Sequence, residues 1–366
     1  MNILYTNFHL SHGGGHTTYV RYLLRNKLHN TFVACPPESR LYKTLNEEGF
    51  SKLYPLYFHL PLWNIPAIVK NAIALRRIIN ERNIDVVHTN GSADNRLALY
   101  ASWLPGKPFK VVLTKHHTKK VKGVISIWRF QSFNDAVIFV SEAVIEQSGF
   151  TPGNSKFHIV ENGIDTDHWR KQTPVQTGHI LKLVSNAGTQ RHKQWHVMAE
   201  AMNALPDEQK ARLSMVVLGR LSALREEDTQ DPKVAFPGFM EDPRPYLDDA
   251  DIGFLLSIRE ASSFASREMA SMSLPVVCSN FPNYREYINE NSGWVTPSGD
   301  VEAVKKVLET ILSMPPKDIT AMKLAAREKA ETEFSVERMI ERTNAVYEAL
   351  DVSGLNTPGK KAQAPA

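Results

Sequence analysis

Glu260 and Glu268 close the two ends of the run "EASSFASRE", with the mostly small residues Ala261, Ser262, Ser263, Phe264, Ala265 and Ser266 between them. Two carboxylates there offer acceptors to one crevice, while the free backbone N–H groups of a loop opening a helix can face an anion. Taken alone, both also read as solvated helix-surface charges, the usual state of Glu. Four other stretches carry comparable chemistry. In "GTQRHKQWH", Arg191 and Lys193 sit in a strand-to-helix turn, where cations balance a diphosphate or simply meet solvent. "VVLTKHH" ends in His116, a donor to a sugar hydroxyl or leaving oxygen, or else a core or surface histidine. "VAFPGFM" offers Gly238 and Phe239 as a rest for a base, or a plain strand-end turn. "SHGGGHTTYV" sets Gly13, Gly14 and Gly15 before a helix, letting backbone approach an anion. Its spacing is not the G-x-G-x-x-G of dinucleotide binders, so it implies no nicotinamide or flavin, and a tight turn explains it equally.

The elements that must hold these residues alternate. "DIGFLLSI" has the length and composition of a buried strand, Met269, Met272 and Leu274 continue at helical spacing, and "PVVCS" begins another strand. Upstream, "MNILY", "TFVACP", "DVVH", "FKVVLTKHH", "DAVIFVS" and "KFHIV" read as short strands between amphipathic helices. A second series opens with "ILKLVSNAG", "RLSMVVLG" and "KVAFPGF". Strand-first alternation implies an α/β chain of two Rossmann-like, doubly wound domains facing a cleft. The expected bounds are 1–168 and 169–340, with an interdomain linker in Thr166 to His179. A helix over 341–352 can cross back to the first domain, and 353–366 reads as a disordered tail.

At 366 residues, 42% hydrophobic and 22% charged, the chain suits two globular cores. A net charge of +4 argues against a dedicated nucleic-acid binder. The two cysteines, Cys35 and Cys278, read as buried hydrophobes, with no disulfide framework or zinc site. The amino terminus lacks a signal peptide's n- and h-regions, and no apolar run suits a bilayer span, so a cytoplasmic or peripheral protein is expected. One stretch, "TKKVKGVISIWRF", puts Val121, Val124, Ile125 and Trp128 at i, i+3, i+4 and i+7 among Lys119, Lys120, Lys122 and Arg129. Such a stripe faces the core with its basic residues solvated, or lies on an anionic membrane surface.

In their order these landmarks resemble the retaining GT-B glycosyltransferases of family 4, whose signature is a glutamate pair spaced E-x-x-x-x-x-x-x-E. Glu260 and Glu268 match it, and "VENGID", "DVVHTNG", "FVSEAV" and "GWVTPSGDVEAV" fall where the family's landmarks do. The resemblance covers the chain to about residue 350. It implies that Glu268 binds ribose hydroxyls, that Glu260 lies against the donor sugar, and that backbone N–H groups near Ser263, Phe264 and Ala265 meet sugar and diphosphate. Lys193, Gly14 and Gly15 take phosphate roles, and His116 lies near the reacting sugar. Retention without an enzyme nucleophile implies front-side attack, with the leaving diphosphate helping to take the acceptor's proton. The implied co-substrate is a UDP- or GDP-linked hexose or related sugar, with no metal or other cofactor and no nucleic acid. The implied acceptor is a glycan or glycolipid of lipopolysaccharide or surface-polysaccharide synthesis. Departures from the family pattern stand at Ala261 and Ser262, at Gln194 and at Asn90. A GT-B sugar-nucleotide epimerase and a non-catalytic nucleotide-sugar binder are the alternatives.

Overall fold

The computed structural model describes residues 1–10, 14–61, 63–175 and 180–352. Gly13, the end of the expected linker and the expected tail lie outside them. The chain divides into two compact units, Met1–Glu161 with Ile340–Ala366, and Asn162–Met339.

The first unit is built on strands β1 (Asn2–Thr6), β2 (Asn30–Cys35), β3 (Leu53–Pro55), β4 (Val86–Thr89), β5 (Lys110–Lys115), β6 (Ala136–Phe139) and β7 (Phe157–Ile159). Their order is β3-β2-β1-β4-β5-β6-β7, and every pairing is parallel. Parallel neighbours need crossovers, supplied mainly by α1 (Gly14–Leu23), α2 (Arg40–Glu47), α3 (Ile65–Glu81), α4 (Ser92–Ser102), α5 (Val124–Trp128) and α6 (Glu142–Gln147). Helices on both faces bury the central strands β4 and β6 completely, which is why β6 reads as a continuous apolar run, while β4 also buries His88 and Thr89. Leu4, Phe32, Leu75, Ile79, Val87 and Leu97 lie in one of its cores. Local chemistry sets helix starts: the Asn64 carboxamide accepts from the Ala67 N–H, and Pro66 stands in the first turn of α3.

The second unit repeats the plan with β8 (Leu181–Ser185), β9 (Leu213–Leu218), β10 (Val234–Gly238), β11 (Ile252–Leu255), β12 (Val276–Ser279) and β13 (Gly293–Thr296). The order is β10-β9-β8-β11-β12-β13, again all parallel. Its helices are α7 (Trp195–Asn203), α8 (Asp207–Lys210), α9 (Arg244–Asp248), α10 (Phe264–Ser271), α11 (Val301–Ser313), α12 (Pro316–Glu333) and α13 (Val336–Glu348). A Cβ on Gly253 would lie 2.7 Å from the Met269 sulfur, so the glycine is what lets α10 close onto β11. In both sheets the winding reverses between the first and fourth strands, β1/β4 and β8/β11. Loops leaving those strand ends diverge and open a crevice, the usual ligand site of such sheets.

Helix α13 starts in the second unit, and from Ile340 it belongs to the first. Its Tyr347 hydroxyl lies 2.5 Å from Nδ1 of His88, whose Nε2 meets the Thr114 hydroxyl at 2.6 Å. His88 is fully buried and burial pushes its pKa down to about 3, so both nitrogens need uncharged partners. Tyr347→Phe strands one of them. The variant is expected to lose about 1 to 3 kcal/mol in urea unfolding, and an unshifted midpoint would show that this bond anchors nothing.

Candidate functional site

In the second unit the carboxyl ends of β8 and β11 gather most of the acidic and basic candidates. The 3-10 turn Arg191–Lys193 follows β8, and the Ile258 N–H donates to the His192 carbonyl at 3.0 Å, tying the loop after β11 to it. Lys193 Nζ thereby meets Glu260 Oε1 at 2.7 Å, with the two side chains 17% and 12% exposed. Glu268, on α10, receives the Asn186 amide at 2.5 Å. Burial pushes the Glu268 pKa up to about 7, against the lowering effect of Asn186. A carboxyl poised there is only partly ionised near neutral pH, and a ligand that supplies further donors completes the ionisation. Asn186 comes from "VSNAG" and carried no signal in sequence, because its partner is 82 residues away.

The loop between the glutamates is held from several sides. Asn283 donates to the Ala261 carbonyl at 2.9 Å and Asn162 to the Ser262 carbonyl at 3.3 Å. Ser263 caps α10 by accepting from the Ser266 N–H. The Ser263 N–H itself donates to the Tyr287 hydroxyl at 2.8 Å, so this one of the expected anion-facing groups is already engaged. Arg267 is buried to 0% exposure, donates to the Ser263 carbonyl at 3.1 Å and lies 4.9 Å from the Tyr287 ring centre. Arg267 and Tyr287 thus fix the loop that Phe264 and Ala265 continue; sequence reading passed over both.

Gln194 takes a left-handed conformation at φ 52°, where glycine would be unstrained. Its amide oxygen accepts from the Ser298 hydroxyl at 2.9 Å, which helps to hold the turn beside Lys193. Arg191 reaches Asp228 at 3.2 Å and stacks 5.6 Å from the Trp195 centre. That aspartate also pairs with Arg225, so Arg191 is engaged in the turn rather than held ready as an unpaired cation. Gly238 ends the edge strand β10 at φ +99°, a turn requirement, and Phe239 is 53% exposed beside it. Edge strand β10 stands two strands from the β8/β11 reversal.

The first unit gathers a different set at its own reversal. Gly14 and Gly15 are the opening residues of α1, not a loop ahead of it. His116 follows β5, and its Nε2 lies 3.1 Å from Asn90 Oδ1. The Asn90 amide nitrogen donates to the Thr6 carbonyl at 2.8 Å, which fixes Oδ1 toward His116. Nε2 therefore carries the ring proton. Burial, then His16 and His117, holds the His116 pKa well below the usual histidine range. A neutral ring whose Nε2–H is spent on Asn90 offers a lone pair at Nδ1. His116 is thus set to accept from a hydroxyl, not to donate as the sequence suggested. Asp94 locks the arm by accepting from Thr6 Oγ1 and the Asn90 N–H, both at 2.7 Å. A cleft of about 420 Å³ opens here, lined by Phe8, His16, Asn90, His116 and His117 among others. Nε2 of His16 lies 3.0 Å from Nε2 of His117.

The basic stretch does not face the core. Val124, Ile125 and Trp128 are 84%, 73% and 46% exposed, and Lys119, Lys120 and Lys122 are exposed with them. Arg129 departs from expectation: it is 5% exposed and donates to the Ser92 carbonyl at 3.1 Å, so it cannot serve as a surface contact. Among the described residues no helix is long and apolar enough to cross a membrane.

Residues 165–329 match the family described as "Glycosyl transferases group 1", and residues 13–168 the family "Glycosyltransferase Family 4". The chain belongs to the GT-B, family 4-like glycosyltransferases. Glu260, Glu268 and Lys193 fall within the first match, and Gly14, Gly15 and His116 within the second. Over 195 residues this family 4-like chain is 30% identical to the amylovoran biosynthesis glycosyltransferase AmsK of Erwinia amylovora, covering 49% of this chain and 47% of AmsK. The match therefore spans about half the length of that relative. A putative glycosyltransferase of Bacillus subtilis, EpsD, is 24% identical, covering 80% of this chain and 84% of EpsD. Among solved structures, Anabaena Alr3699/HepE in complex with UDP and glucose superposes with a TM-score of 0.77 at 15% identity, covering 96% of this chain and 100% of HepE. That likeness establishes the GT-B fold, two parallel-sheet Rossmann-like domains.

Proposed function

We propose that the protein transfers a sugar from a nucleotide-sugar donor to a glycan or glycolipid acceptor of surface-polysaccharide or lipopolysaccharide synthesis, with retention of anomeric configuration. The observation that carries this reading is the Lys193–Glu260 pair beside the half-buried Glu268, whose pKa burial raises to about 7, at the β8/β11 reversal. Glu268 accepts from the ribose hydroxyls once ionised. Lys193 turns from Glu260 to the diphosphate and releases Glu260 to the sugar. The leaving diphosphate takes part of the acceptor's proton, so the chain's own contribution is positioning and fixed charge. Gly14 and Gly15 serve the phosphates in this reading, and Arg191 joins them only by leaving Asp228; Phe264 and Ala265 offer N–H groups to sugar and diphosphate, and Gly238 with Phe239 supports the base. His116 accepts from a sugar hydroxyl through Nδ1. The bound UDP and glucose of HepE support a UDP-linked donor, with GDP as the alternative base. Proton NMR of the product's anomeric signal tests retention; a product inverted relative to the donor would refute it.

The exposed apolar stripe of α5 beside three exposed lysines supports peripheral attachment to an anionic membrane face. The partition coefficient onto liposomes containing phosphatidylglycerol, read by flotation, should fall about 100-fold or more when Lys119, Lys120 and Lys122 are together changed to Glu, each surface lysine contributing about 1 kcal/mol. Flotation that survives the triple change places the contact elsewhere.

A further inference from the structure

Helix α3 buries Ala72, Leu75, Ile78 and Ile79 in a core of the first unit, yet its outer side is apolar too. Ile65, Val69 and Ile73 follow at i, i+4 and i+8 and are 63%, 47% and 52% exposed. Trp63, just ahead of the helix, is 81% exposed. The corresponding exposed line on α11 in the second unit is Glu302, Lys306 and Thr310, the polar outer face that a surface helix ordinarily carries. We propose that the outer face of α3 is a second membrane-contact surface, which lies with α5 against one anionic bilayer. The proposal rests on the peripheral-attachment reading of α5. It adds a second helix to that contact, and with it a fixed orientation of the first unit.

Packing is the first ground. Helix α3 packs on α4, and both share one core with Phe133, in the turn Arg129–Phe133 that continues α5. The same turn holds α4 directly, because Arg129 donates to the Ser92 carbonyl and the Asn95 amide donates to Asn134 at 2.6 Å. The three helices therefore form one layer on one face of the sheet. In the strand order β3-β2-β1-β4-β5-β6 their crossovers put α4 between α3 and α5. The exposed apolar residues of α3 and α5 thus belong to one layer, and two stripes set apart on it define a plane where one stripe defines only a line.

Charge is the second ground, and it is independent of the first. Residues 49–80 and 95–134, which carry α3, most of α4 and α5, hold twelve Lys and Arg and no Asp or Glu. The acids that pair with this set lie outside both runs, Glu81 on Arg77, Asp85 on Lys107 and Asp135 on Lys110. Lys70 is exposed on α3 next to Val69, and Lys119, Lys120 and Lys122 are exposed just ahead of α5. Apolar side chains and tryptophans set among cations, with no acid between them, match the headgroup layer of an anionic bilayer. A second copy matches worse, since this face laid on itself opposes cations to cations.

The test is flotation of the full-length protein with vesicles of phosphatidylglycerol and phosphatidylcholine, part of the phosphatidylcholine dibrominated to quench tryptophan emission. Val69→Gln together with Ile73→Gln, with the α5 lysines kept, is expected to lower the partition coefficient about tenfold, because two aliphatic side chains no longer gain by leaving water. Trp63→Phe should lower the fraction of emission quenched, and Trp128→Phe should lower it separately. Circular dichroism identifies a variant that has lost its fold, and the other α3 variant then decides. Unchanged partition of the folded double variant, or quenching that Trp63→Phe leaves whole, would overturn the α3 contact. A double variant that turns a dimer into a monomer in size-exclusion chromatography, yet floats as before, would give this face to a second copy and overturn the proposal too. Failure of the attachment reading shows differently, as a parent protein that floats with no vesicle. Loss of flotation in the α5 lysine variant alone leaves that reading standing and removes only α3.

Discussion

Glu260→Gln is expected to lower kcat by about 10²- to 10³-fold, the usual cost of removing one fixed electrostatic partner of a reacting group. Its effect on nucleotide affinity should be of the opposite kind. Without ligand, Lys193 and Glu260 neutralise each other at 2.7 Å, so a diphosphate must compete with Glu260 for the ammonium. Removing the carboxylate charge frees Lys193, and UDP or GDP should bind as tightly as before or more tightly. A variant with intact nucleotide binding and collapsed turnover separates a role at the sugar from a role in binding the nucleotide. Isothermal titration and steady-state rates on the same preparation read both. A parallel loss of affinity and turnover would mean that Glu260 holds the nucleotide, and the division of labour between the two glutamates would fall.

Glu268→Ala should instead weaken UDP or GDP by about 100-fold, since two hydroxyls donating to one carboxylate contribute roughly 1.5 to 3 kcal/mol each before desolvation is subtracted. The pH dependence carries a sign that identifies the residue. Glu268 has its ordinary pKa of 4.5 in the unfolded chain and about 7 in the folded one. The fold therefore pays nothing for this group below pH 4.5, loses stability as pH rises from there to 7, and carries the full cost above 7. Ribose hydroxyls want the ionised form. Affinity should rise about tenfold between pH 6 and pH 8, with a proton released on binding near pH 7. Titrations in buffers of different ionisation enthalpy count that proton. Glu268→Gln should remove both the release and the rise; if either survives there, the titrating group is another residue.

The glutamate spacing and the alternation of apolar runs with amphipathic helices were legible because each is a local pattern. Period-2 and period-3.6 signals need no knowledge of partners. Partners were not legible. Nothing in "GTQRHKQWH" says that Lys193 meets Glu260, 67 residues away, or that Arg191 is engaged by Asp228. The tautomer of His116 depends on Asn90 and Thr6, contributed by two other strand ends, so its direction of hydrogen bonding could not be read along the chain. Periodicity drew the stripe Val121, Val124, Ile125 and Trp128 but cannot say which side of it is wet. Three of the four prove widely exposed while Arg129, counted with the solvated side, is buried. Arg267 shows the same limit in reverse, a charged residue inside the signature that stacks in the interior on Tyr287 and Phe334.

The central claim, sugar transfer from a nucleotide donor, is most directly tested by nucleoside diphosphate release. The full-length protein is incubated with UDP- and GDP-linked sugars, with and without a glycan or glycolipid acceptor. The expected result is one donor whose diphosphate is released faster in the acceptor's presence, with release abolished or greatly slowed in Glu260→Gln. Release from no donor, together with no nucleotide binding, would contradict the account. Conversion of the donor to its epimer without an acceptor would contradict it too, and would assign this chain a different reaction on the same fold.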